Sequence, residues 1–253
     1  MRAELPAYYS RLAPFRGLFR TANPVLTYHK LGPRPSGVRL KGLYVSTNTF
    51  SRQLAELRAA GFESGTLSRW DATPPREVIL TFDDGYLNVL RNGIDPLAVH
   101  GFRAIQFLPV NFLGKRNEWD LAAGEAPEPI MNVGQVREWI AAGHEIGSHT
   151  LSHPLLTRLS REQAREEIQA SRRKLEDLFG RTIPHFCYPY GDCDDHIREL
   201  VREAGYTTAC TTDWGVNPPG APSFALKRLT ARYPSRKIGT IWSWLRGRIP
   251  LGL

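Results

Sequence analysis

The run Val78-Ile79-Leu80 followed by Thr81-Phe82-Asp83-Asp84-Gly85 constrains this chain more than any other feature. Consecutive apolar residues, without polar alternation, suit a strand covered on both faces, as in a parallel sheet between helical layers. Two carboxylates then close the strand, at the end where a closed parallel barrel collects its functional groups. Adjacent acids in such a position are most often a turn or a helix N-cap. On an extended segment, however, neighbouring side chains point in different directions, so one carboxylate can bind a metal while the other faces substrate.

The same alternation of short apolar runs and helical patterns recurs along the chain, as βαβ units require. Strands are expected at 25–29, 77–82, 102–108, 145–148, 185–188 and 206–211. A helix is expected at 47–60, with Phe50, Leu54 and Leu57 at helical spacing and Gly61 as its stop. Others follow Gly85, run from Asn132 to Gly143, and occupy about 194–204. Asn132/Gln135 and Ser160/Gln163 form capping boxes. The second opens a long helix with Ala164, Ile168, Leu175 and Leu178 on one face, ended by Gly180. Residues 31–42 read as a long loop, and 111–129, rich in Gly, Pro and mixed charge, as an inserted surface loop.

At 253 residues, with 42% hydrophobic and 23% charged side chains, the chain can bury one large α/β core. Its net charge of +8 favours anionic surroundings such as a membrane surface, lipid phosphate or acidic glycan. No zinc-finger, helix-turn-helix or RNA-binding signature accompanies the charge, so nucleic acid is not an expected partner. Cys187, Cys193 and Cys210 are odd in number and lack Cys-x-x-Cys spacing, which argues against a disulfide framework and for a reducing compartment. No stretch approaches the roughly 20 apolar residues that span a bilayer. Arg2, Arg11, Arg16 and Arg20 lack the unbroken apolar core of a secretory leader. The expected location is therefore cytoplasmic.

Two further clusters carry chemistry. Glu145-Ile146-Gly147-Ser148-His149-Thr150-Leu151-Ser152-His153-Pro154 holds two histidines four apart, which Pro154 and the Ser/Thr content put in a loop after a strand. Surface histidines are the ordinary explanation of such a pair. One Asp with both histidines nevertheless makes a facial three-ligand set, suited to Zn²⁺ or another first-row cation holding water. His100 and His144 lack this context and are expected to be structural. Phe186-Cys187-Tyr188-Pro189-Tyr190-Gly191 is a turn rigid enough to aim a backbone N–H at a developing oxyanion; alone, it would be an ordinary turn with a packed tyrosine.

In this order the three clusters resemble the polysaccharide deacetylase family, the NodB-homology domain of carbohydrate esterase family 4, over about 24–232. The resemblance implies a distorted (β/α) barrel of about seven repeats that hydrolyses N-acyl groups, chiefly N-acetyl, of amino sugars in a glycan or lipid-linked glycan. It implies Asp83 as general base, Asp84, His149 and His153 as ligands of a divalent metal, and Tyr190 as oxyanion stabiliser through its amide. The metal expected is Zn²⁺, with Co²⁺, Ni²⁺ and Fe²⁺ as alternatives.

Two departures from the family pattern stand out. Cys187 occupies the position of an Arg that orients the base in many members, and Arg228 is the candidate to supply that charge. No histidine follows His196, so the usual C-terminal acid is absent. The opening Val25-Leu26-Thr27-Tyr28-His29-Lys30 resembles circularly permuted members, in which an early histidine is the acid; the resemblance gives His29 that role.

The domain reading is a basic extension at 1–23, a catalytic domain at 24–234 and an amphipathic tail at 235–253. The tail's tryptophans and arginines suit either a helix lying in a membrane interface or one packed on the barrel bottom. A peripheral position on the inner membrane face and a lipid-linked substrate follow from the first. A deformylase, a cyclic-amide amidase and a non-catalytic carbohydrate-binding domain are the competing functions.

Overall fold

Seven parallel strands close on themselves. In the computed structural model, which describes Leu12 and residues 16–72 and 76–231, the elements are β1 (Val25–Tyr28), β2 (Lys30–Leu31), β3 (Tyr44–Val45), α1 (Thr47–Ala59), β4 (Glu63–Ser64), β5 (Glu77–Phe82), α2 (Leu87–His100), β6 (Ala104–Leu108), α3 (Val133–Ala141), β7 (Glu145–Ser148), α4 (Arg161–Phe179), β8 (His185–Cys187), α5 (Asp195–Glu203), β9 (Thr208–Trp214) and β10 (Leu226–Thr230). The barrel order is β1-β10-β9-β8-β7-β6-β5, and β5 returns to β1. Strand β4 adds to the outer edge of β5, and β2 pairs with β3 apart from the barrel. The tail expected at 235–253 lies outside the described residues, as do Arg2 and Arg11.

Closure joins the two ends of the barrel sequence. Strand β1 pairs in parallel with β5, Tyr28 opposite Phe82, and with β10, Leu26 opposite Leu229. Strand β10 was not expected: Lys227 and Arg228 interrupt its apolar pattern, yet Arg228 is buried because it points into the barrel. Strand β9 starts two residues later than expected and runs on to Trp214.

The helices follow their local signals. Ser46 caps α1, its hydroxyl accepting from the Thr49 amide, and both expected capping boxes form. Gly180 ends α4 in the left-handed conformation that glycine adopts without strain. Alternation along β5 faces Ile79, Thr81 and Asp83 inward. A core of Val25, Ile79, Ile105, Phe107, Cys187, Cys210 and Leu226, plugged by Leu67 and Trp70, fills the interior below Asp83. The larger apolar cluster, including Phe50, Phe82, Val89 and Trp139, lies where strands meet helices. Packed interior below and polar strand ends above confine chemistry to the C-terminal mouth.

The segment 111–129 corrects its sequence reading. It contains a 3-10 helix, Glu118–Ala123, but Asn117, Asp120 and Glu125 are buried and Trp119 packs inward, so it is a folded insertion over the mouth rather than a surface loop. Among the described residues the three cysteines are free thiols. No described helix is long and apolar enough to cross a membrane.

Candidate active site

Backbone strain marks the mouth. Asp84, Thr150, His153 and Tyr190 are the four non-glycine residues at positive φ among the described residues, and all lie here. Each such residue costs on the order of 1–2 kcal/mol, so the surrounding packing must hold it. Asp84 (φ 71) corrects the expectation of an extended pair: a left-handed kink, not strand alternation, separates the Asp83 and Asp84 carboxylates. Gly85 continues the kink, and a Cβ there would meet Leu108 at 3.0 Å and Ile130 at 3.2 Å.

Asp84 Oδ1 lies 3.4 Å from His149 Nε2 and 3.2 Å from His153 Nε2. All three side chains are buried. His149 Nδ1 is 2.7 Å from the Cys187 carbonyl, and because a carbonyl only accepts, Nδ1 must donate. A neutral His149 therefore turns its Nε2 lone pair toward a carboxylate oxygen. Such a contact needs positive charge between the two atoms, either a proton on Nε2 or a cation. Burial disfavours the proton, but Cys187 and Asp84 favour it strongly enough to raise the His149 pKa. One carboxylate with two imidazoles is a donor set that fits a divalent first-row metal. In the proton-held form burial raises the Asp84 pKa, but hydrogen bonds donated by the two histidines outweigh it and hold the carboxyl well below its usual range.

Glu167, from α4, fixes the loop between the histidines. Its Oε2 accepts from the Leu151 and Ser152 amides at 2.9 Å each, and its Oε1 from the Ser152 hydroxyl. His153 is sandwiched: the Trp119 indole stacks on it with centroids 4.6 Å apart and planes at 23°, and the Tyr190 ring meets it edge-on at 4.6 Å. Tyr190 is itself left-handed and half-exposed. Its turn is pinned to β9, since a Cβ on Gly191 would come within 2.0 Å of the Thr212 hydroxyl.

Asp83 has a different partner. Arg228 clamps it bidentately, Nη1 to Oδ1 at 2.8 Å and Nη2 to Oδ2 at 2.7 Å, and also donates to Thr81 Oγ1 and the Thr211 carbonyl. Burial pushes Asp83 upward, but the guanidinium prevails, so its pKa is lowered and the group is ionised. Arg228 Nη2 also lies 3.2 Å from Cys187 Sγ, so the guanidinium stands beside Asp83, where the sequence reading looked for the charge that Cys187 cannot supply. His29 directly follows β1, and the β1–β5 register sets its Nε2 3.8 Å from Asp83 Oδ2. Burial lowers the His29 pKa, with Asp83 and Asp84 opposing.

A second convergent set, Asp83, His149 and Cys187, is also close enough to ligate. It is the poorer one. Asp83 is already paired with Arg228, and burial pushes the Cys187 thiol up to about 11, leaving it protonated near neutral pH. The structure thus brings Asp83, Asp84, His149, His153, His29 and Tyr190 to one mouth. His100 and His144 stay apart: His100 bonds Ser51, and His144 packs on Trp139. Trp119 and Glu167 escaped the sequence reading, because nothing local separates them from any other surface-loop tryptophan or helix glutamate.

A family model for polysaccharide deacetylase matches residues 71–209, more than half of the chain. The chain belongs to that family. YxkH of Bacillus subtilis (strain 168), provisionally named a polysaccharide deacetylase, is 24% identical over 213 residues, 81% of this chain and 70% of that protein. The chitooligosaccharide deacetylase of Bradyrhizobium sp. (strain ANU 289) is 25% identical over 150 residues, 58% of this chain and 60% of the relative. The Streptococcus pyogenes deacetylase PplD, solved with acetate, superposes with a TM-score of 0.72 over 91% of this chain and all of that one; at 19% identity this likeness concerns the fold. The deacetylases of this family are hydrolases acting on carbon–nitrogen bonds, and this chain is an enzyme of that class.

Proposed function

We propose that the protein hydrolyses the N-acetyl group of an amino sugar within a glycan, in a metal-dependent reaction. One observation carries this reading: Asp84, His149 and His153 converge while Asp83, ionised and clamped by Arg228, stands beside them. Zn²⁺, or another first-row divalent cation held by those three residues, would supply the Lewis acidity that makes water nucleophilic near neutral pH. Asp83 accepts the proton of the attacking water as its oxygen bonds to the acyl carbon. The Tyr190 amide donates to the carbonyl oxygen as charge develops on it. His29 gives a proton to the nitrogen as the C–N bond breaks, so acetate and a free amine leave.

What supports His29 as the acid is its 3.8 Å distance from Asp83 at the end of the first barrel strand, and the same position supports reading the chain as a member of the permuted branch with an N-terminal Tyr-His. What supports a glycan is the family together with relatives named for chitooligosaccharides. A lipid-linked form of the substrate, met at the cytoplasmic membrane face, belongs to the same proposal; the net charge of +8 supports it, and vesicle flotation tests it.

The deciding experiment incubates Zn²⁺-loaded protein with a chito-oligosaccharide and assays acetate alongside bound metal. Acetate release in proportion to Zn²⁺ upholds the reading. Formate release from an N-formyl substrate would make the protein a deformylase. Bound glycan without released acid would make it a binding domain.

A further inference from the structure

Lys30 is wholly buried, yet its Nζ has no hydrogen-bond partner. Its nearest acid oxygen is Glu125 Oε2 at 3.7 Å, itself without another partner, and the ammonium lies over the rings of Tyr44 (4.8 Å) and Tyr86 (4.6 Å). A buried pair this loosely satisfied is a poor source of stability, since apolar groups of the same shape would do as well. Its best-attested use is to fix one arrangement among several.

Lys30 and two of its contacts, Tyr86 and Glu125, lead to three parts of the site. Lys30 itself follows His29 in the chain. Tyr86 follows the Asp84-Gly85 kink. Glu125 belongs to the 111–129 insertion that stacks Trp119 on His153, and it also accepts from the Leu40 amide. Beside it, Glu128 accepts from the Tyr44 hydroxyl at 2.8 Å.

The geometry points to Lys30 and Glu125 as positioning residues, a latch that docks the insertion on the barrel and thereby sets Trp119 against His153. The consequence for metal binding rests on the function proposed above; the docking itself does not.

The test uses Lys30→Met, which keeps the aromatic cage filled, together with Glu125→Gln, the double variant and Trp119→Ala. Amide hydrogen exchange across 111–129 reads the docking without any metal. Affinity for Zn²⁺ alone, by competition with a chromogenic chelator, reads the site. Lys30→Met is expected to speed exchange in 111–129 at least tenfold relative to β5 and β6, and to weaken Zn²⁺ binding about 10–100-fold, the usual effect of losing a group that orients a ligand. Trp119→Ala should weaken Zn²⁺ binding similarly. The double variant removes the unpaired charge and should recover the melting temperature, but neither slow exchange nor Zn²⁺ affinity. Unchanged exchange in 111–129 would overturn the latch. So would a double variant in which exchange returned together with the melting temperature, because that would be a merely structural pair. Wild-type protein that bound no Zn²⁺ would count against the proposed function, while the exchange data would still decide the latch.

Discussion

Strands β7 and β8 carry buried polar residues at both ends, and the two ends behave differently. At the N-terminal end are His144, packed on Trp139, and His185, bonded to Thr208 Oγ1 at 2.8 Å. At the C-terminal end is His149, with His153 a few residues beyond. Relative exposure is 4%, 2%, 2% and 5% for His144, His185, His149 and His153, so burial does not separate them. Company does. Burial pushes His144 and His185 down to about 4, and both are neutral plugs. His149 and His153 share the Asp84 oxygen, in a loop where Thr150 and His153 are held in left-handed conformations. A buried histidine becomes a ligand candidate when a carboxylate and a strained turn converge on it.

The largest expected effect tests that contrast directly. His149→Ala or His153→Ala should abolish stoichiometric Zn²⁺ binding and turnover, whereas His144→Phe should keep both; elemental analysis of purified protein decides. Asp83→Asn comes next, with kcat lower by about 10²–10⁴ and bound metal retained, as expected for a lost general base. Full activity in that variant would overturn the assignment of the base.

Arg228→Ala leaves a buried carboxylate unpaired and should destabilise the protein by about 3–5 kcal/mol in denaturant unfolding, beyond any loss of activity.

The smallest effect belongs to the N-terminal end. His144 and His185 bind a proton more weakly folded than unfolded, where the pKa is about 6.5. Stability is thus intact above pH 6.5 and is lost as pH falls toward 4, by on the order of 2–3 kcal/mol per histidine. The melting temperature of metal-free protein should fall across that window, and His144→Phe should flatten the fall.

Much of the site was legible because its signals are local. Thr81 to Gly85, the two-histidine loop and the Pro-Tyr-Gly turn are short segments whose chemistry reads off neighbouring residues. The capping boxes at Asn132 and Ser160 are local in the same sense, and both formed as read. The insertion was misread because its composition is that of a loop, while its burial comes from contacts with Lys30, Leu40 and His153, distant in the chain. Strand β10 was missed because a buried arginine breaks the apolar pattern that marks a strand.

The sequence by itself determined the βαβ alternation, most helix boundaries and which residue types could hold a metal, since periodicity and caps act over a few residues, while the barrel was an implication of the family resemblance. Tertiary structure alone decided the partners of those residues. Arg228 reaches Asp83 across 145 residues because closure makes β10 and β5 the two neighbours of β1. Trp119 reaches His153 because the insertion folds back over the mouth. Such pairings depend on which strands become neighbours, and no local pattern encodes that.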